Sequence, residues 1–187
     1  MKKFVLAPAL AALAMFFWGF LYWGAPHFLP YKALGHLPEE AAAADALAKI
    51  FPATGVYLIP NPMAGDEKFA AQMKKGPTGE VHIIKESRVH MDPAVLLKGY
   101  LHGFVLAVLL AVILSGLEKS FTAWTCRVKL SATIGLLVAV CDYGNAVWWH
   151  HSWAWVSAQA LYDFGVYTIG GLVLAKFLTP KSPAVAG

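Results

Sequence analysis

The chain has 187 residues, 58% hydrophobic and only 14% charged, with a formal net charge of +4 and two cysteines. Soluble domains average roughly 45–50% apolar and about 25% charged residues, so a soluble fold, a disordered chain and a disulfide scaffold are all excluded. The positive balance is too small and too dispersed to be the footprint of a nucleic-acid-binding protein. What remains is a polytopic membrane protein.

A hydrocarbon core about 30 Å thick needs roughly 20 apolar residues of helix at 1.5 Å each. Four segments reach that length. Residues 4–23 carry no charge, and the run ends in Trp18, Phe20, Tyr22 and Trp23. Its only Ala-x-Ala patterns fall too early for a cleaved leader, so it is read as a retained anchor. Residues 94–117 hold Lys98 near the start and His102 inside; residues 130–149 hold Asp142; residues 154–178 hold Asp163 and, near the end, Lys176. Lipid offers the backbone no hydrogen-bond partner, so all four must be helices.

Between the first two spans lie about 70 residues, too long for a structureless loop. Pro38-Glu39-Glu40 opens an alanine-rich helix, residues 56–59 form a strand stopped by Pro60, and residues 66–75 form a second helix ended by Gly76-Pro77. Residues 81–85 are a second strand, and Asp92-Pro93 caps the next span. Two strands are marginal alone, so this insert is expected to pack down on the helix ends. The predicted fold class is an all-α membrane protein, a four-transmembrane-helix bundle with a small α+β extracytoplasmic insert. Its divisions are 1–24 (anchor), 25–93 (insert), 94–178 (three-helix region) and 179–187 (cytoplasmic tail).

Short-flank Lys and Arg set direction. Lys2 and Lys3, then Lys119, Arg127 and Lys129, then Lys176 and Lys181 fall on one side, while the connection at residues 150–153 has neither Lys nor Arg. The insert is near neutral and too long for the rule to count. Both termini are therefore expected in the cytoplasm and residues 25–93 outside. Trp23, Trp148, Trp149, Trp153 and Trp155 gather at the outer ends, with Trp124 at the inner, where an anchoring belt accounts for them. Cys126 and Cys141 are about 22 Å apart along a continuous helix and cannot bond to each other.

Asp142 and Asp163 carry the chemistry. An ionisable side chain at bilayer depth costs at least ~2.5–3.5 kcal/mol, so it faces protein or water and has a partner. Asp142 lies about 10 Å in from Trp149 and Asp163 about 12 Å in from Trp155, which places them level on antiparallel helices. Asn145 and Gln159 share their faces at helical spacing, Tyr143, Tyr162 and Tyr167 are near in sequence, and Tyr100 and His102 enter at comparable depth. A ligand- or ion-binding pocket of His102, Asp142, Asn145, Gln159 and Asp163 follows. Two close carboxylates cannot easily both ionise, which predicts a shared proton or a bound cation. The competing account has the acids hydrogen-bond to Asn145, Gln159 and the tyrosines and merely fix packing.

The histidines supply no metal motif: His150 and His151 are adjacent, and no HxxxH, ExxH or CxxC spacing occurs. A metal remains undetermined and no cofactor is called for. Gly99 and Gly103 form a GxxxG, and Gly171 with Ala175 a second small-residue pair.

Phe17-Trp18-Gly19, Gly55-Val56-Tyr57-Leu58-Ile59-Pro60, Gly76-Pro77, Met91-Asp92-Pro93, Trp148-Trp149 and Asp163 together resemble a loosely defined set of small, functionally uncharacterised bacterial four-helix membrane proteins. The resemblance implies a bacterial cytoplasmic (inner) membrane and brings no activity. The favoured function is a non-enzymatic accessory or binding subunit. Alternatives are a small carrier or ion- or proton-binding protein using Asp142 and Asp163, and a membrane enzyme using Asp142 with His102. Expected partners are the lipid bilayer and a larger membrane complex or homo-oligomer, with no nucleic acid.

Overall fold

The computed structural model describes residues 2–24, 29–89 and 91–179; His90 and the tail from residue 180, including Lys181, lie outside them. The chain is mostly helical. Four helices are long and apolar enough to cross a membrane: α1 (Lys2–Gly24), α5 (Pro93–Gly116), α6 (Trp124–Trp148) and α7 (Trp153–Leu178). Asp92 caps α5, its Oδ1 accepting from the Ala94 N–H at 2.9 Å, as its place before Pro93 predicts.

The third long helix starts at Trp124, six residues before the expected boundary at 130. The reason is Arg127. Charge in a flank argues for a loop, yet Arg127 is fully buried in the first turn of α6. Its Nε donates to the Phe121 carbonyl at 2.8 Å and its Nη1 to the Leu178 carbonyl at 3.2 Å. The guanidinium thus takes up orphan carbonyls at the end of α7 and in the α5–α6 connection.

Helix α7 is the hub. It packs on α6, α1 and α5, α1 also packs on α5, and α6 makes its main contact with α7 alone. Trp18 Nε1 donates to the Tyr162 carbonyl at 3.0 Å and the Tyr22 hydroxyl to the Ala158 carbonyl at 2.7 Å. The partners advance four residues one way and retreat four the other, so α1 and α7 are antiparallel. Glycines allow the approach. A Cβ at Gly165 would lie 2.6 Å from Trp18 Cε2, one at Gly135 2.9 Å from Tyr167 Cβ, and one at Gly171 would overlap Ser131.

Alanines make up much of the interior, beside Leu110, Leu114 and Leu174, and many large apolar residues face outward. Ala7, Ala11, Ala107, Ala111, Ala160 and Ala175 are buried, whereas Leu97, Val105, Val112, Leu137, Val140 and Val147 are more than half exposed. In water this order would be inverted, because exposed apolar area is costly. It suits helices that must touch closely inside lipid, and it is consistent with a multi-pass membrane protein.

The segment between α1 and α5 holds α2 (Leu29–Lys32), α3 (Glu40–Ile50), β1 (Gly55–Ile59), α4 (Asp66–Lys75) and β2 (Gly79–Ile83). The order of α3, β1, α4 and β2 matches the expected helix, strand, helix, strand; β2 starts two residues earlier than predicted. The strands pair antiparallel, Tyr57 opposite Val81. Lys85 Nζ closes α3 by donating to the carbonyls of Ala48 (3.0 Å) and Phe51 (2.8 Å). The Thr54 hydroxyl donates to Glu86 and holds its carboxyl below the usual carboxylate value.

The insert does not pack down as expected. Among the described residues, the sheet and its helices make no extensive contact with the long helices; Glu80 Oε2 approaches His151 Nε2 at 3.8 Å, and α2 rests on α7. Phe51 packs on Tyr57 with ring centroids 4.8 Å apart, while Ile50, Val56, Met63 and Ile84 stay exposed.

Gly171→Ala is expected to lower the thermal stability of the detergent-solubilised protein by about 1–3 kcal/mol through overpacking, and Ser131→Gly should restore it. Gly103→Ala, whose Cβ would meet the Ala12 carbonyl at an ordinary 3.8 Å, should leave the melting temperature nearly unchanged. Arg127→Ala should cost about 2–3 kcal/mol for two lost charge-assisted hydrogen bonds, read by the same melt.

Candidate functional site

The glycine crossings orient the acids. Asp142 lies seven residues beyond Gly135 on α6, and Asp163 eight before Gly171 on α7. Seven residues are about two turns at 3.6 residues per turn, so Asp142 shares the face that Gly135 presses on α7 at Phe164, the neighbour of Asp163. Consequently, Asp142 and Asp163 meet: their carboxyl groups face each other within hydrogen-bonding reach. Two ionised carboxylates have no hydrogen to offer one another. Asp142 Oδ2 is accordingly buried with no donor among the described residues.

The other expected members are placed differently. Asn145 and Gln159 are partly buried, but among the described residues the hydrogen-bonding side chain that faces each acid is the other acid. Tyr162 and Tyr167 are close enough to feel the charge of Asp163, and Tyr167 that of Asp142 as well. The Tyr143 hydroxyl turns instead to Ser157, at 3.1 Å.

His102 lies on α5 and borders a groove with Asp163, a groove Asp142 does not reach. This groove runs between α1, α5 and α7 and holds about 420 Å³. Phe16, Phe20 and Trp23 come from α1, Gly99 and His102 from α5, Tyr162 and Asp163 from α7. Its floor follows from sequence spacing, since Phe16, Phe20 and Trp23 recur on one face of α1 at intervals of four and three. Gly99 and Gly103 leave it open on the α5 side: a Cβ at Gly99 would only graze Phe16, at 3.9 Å.

Among the described residues, no three His, Cys, Asp or Glu side chains are grouped to hold a metal ion. His102 therefore does not complete a ligand set with the two acids. Cys126 and Cys141 are exposed and free.

Trp18 and Arg127 escaped sequence reasoning as positioning residues. In the sequence Trp18 is only one of the aromatics closing the first apolar run, although its spacing of four from Tyr22 marks a single face; Arg127 looked like a topogenic charge. The chain matches no family model, and neither the curated proteins nor the solved structures contain a match. The resemblance to small four-helix membrane proteins finds no counterpart there.

Wild-type protein is expected to lose stability as pH rises and the facing acids lose the proton between them. Asp142→Asn, whose amide donates to Asp163 without a titrating proton, should be resistant, opening a gap of about 1 kcal/mol in alkali. Melts of both proteins from mildly acid to alkaline pH measure it.

Proposed function

We propose that this is a multi-pass protein of the bacterial cytoplasmic membrane, with both termini inside and residues 25–93 outside. Lys119, Lys129 and Lys176 at one end of the long helices, against Trp23, Trp149 and Trp155 at the other, support that orientation. It acts as a non-enzymatic binding or accessory subunit, and its working element is the proton- or cation-binding pair Asp142 and Asp163.

The observation that carries this reading is the buried, donorless Asp142 Oδ2 facing a second carboxyl. A packing role would leave each acid hydrogen-bonded to an amide or hydroxyl, because an unmatched buried acceptor costs about 1–3 kcal/mol. A facing acid pair is instead a site waiting for positive charge, met by one proton held in common or by a cation. An enzymatic role for Asp142 with His102 has less support, since His102 borders the groove with Asp163 and not with Asp142.

Infrared titration of the protein in lipid nanodiscs tests the pair. At neutral pH a protonated-carboxyl C=O band is expected that vanishes in both Asp142→Asn and Asp163→Asn while the amide bands stay native. A wild-type spectrum without that band at neutral pH overturns the reading.

A further inference from the structure

The groove beside Asp163 is larger than a proton or a bare metal ion needs. At about 420 Å³ it falls in the range of roughly 300–1,000 Å³ that holds small organic molecules. Its walls decide what kind. Phe16, Phe20, Trp23 and Tyr162 present aromatic rings, and Asp163 is the one acid among the lining residues. Trp23 and Tyr162 sit edge to face with ring centroids 5.4 Å apart, so the rings form a wall of set geometry. A strongly hydrated inorganic ion would find too few oxygen ligands here to replace its water, and no three-ligand group is present among the described residues. A neutral apolar molecule would leave Asp163 without positive charge at bilayer depth.

We propose that this groove binds a lipophilic organic monocation, with aromatic faces against its apolar body and the acid pair supplying the counter-charge. The inference rests on the acid-pair reading above, because a pair that holds one proton carries one negative charge. That charge matches a monocation and leaves a dication half unpaired. Aromatic faces attract a desolvated cation within about 6 Å of the ring centroid, the more strongly where water is excluded.

Acid should weaken binding. The groups facing Asp163 are Asp142 on α6, Tyr162 and Tyr167 on α7, and His102 across the groove on α5; the groove residues of α1 carry no titratable group. Protonating the second acid removes the counter-charge. The tyrosines stay neutral in that range.

Equilibrium dialysis of the nanodisc protein with methyltriphenylphosphonium, beside its neutral near-isostere triphenylphosphine oxide, tests this. The cation is expected to bind at least ~10-fold more tightly than the oxide, and acid should abolish the difference. Asp163→Asn should lose that preference. Gly99→Leu, which fills the groove from an open position, should lose binding with the infrared band of the acid pair unchanged; it serves if Asp163→Asn fails to fold. Equal binding of cation and oxide would mean that the groove is a slot for any apolar molecule, such as a lipid chain, and overturns the proposal. So does cation binding that survives either Asp163→Asn or Gly99→Leu. A normal infrared band with no cation preference defeats this inference alone; a missing band defeats the acid-pair reading beneath it.

Discussion

Close approach of backbones around α7 is the constraint on which the rest of the molecule depends. Gly165 admits the Trp18 indole, Gly171 admits Ser131, and Gly135 on α6 admits the α7 backbone at Phe164. Inside lipid, apolar area drives no association between helices, so contact must come from dispersion at short range and from hydrogen bonds. Alanine and glycine interiors provide the first, and the Trp18 and Tyr22 bonds to α7 carbonyls provide the second. With α7 held on both sides, the position of Asp163 is set: one flank looks at α6 and Asp142, the other at the groove beside α1 and α5.

That double exposure gives the site its character. A carboxyl buried against a second carboxyl stores an unmet demand for positive charge, and the same residue borders a lipid-level groove walled by aromatic rings. Asp163 thus stands between the acid pair and the groove. The Arg127 clamp at the far end of α6 and α7 uses different chemistry. It satisfies carbonyl groups where the helices end, and it fixes the longitudinal register that keeps the two acids level.

The insert stands apart from this machinery. Its hairpin, Lys85-capped helix and Phe51–Tyr57 contact make a small unit of local interactions, touching the α6–α7 connection where Glu80 meets His151. The expectation of a cap packed onto the helix ends came from the weakness of two isolated strands. The chain meets that weakness with the Lys85 cap on the end of α3 and the Phe51–Tyr57 contact.

Much of the architecture was legible in the residues themselves. Length and apolarity dictate the four long helices, Asp92-Pro93 dictates where α5 starts, and Gly76 dictates where α4 stops, because these depend on local chemistry and on the thickness of a bilayer. The depth of Asp142 and Asp163 also follows from counting at 1.5 Å per residue. Which way their carboxyls point does not follow from counting. A helix face finds its neighbour only through packing, so tertiary structure alone decided that the acids meet each other and that Asn145 and Gln159 stand aside. It also decided that His102 joins the groove while α6 stays outside it, and that Arg127 is buried. Local sequence sets where a side chain lies along its helix; its azimuth is set by the glycines and aromatics of other helices, and those contacts exist only once the chain has folded.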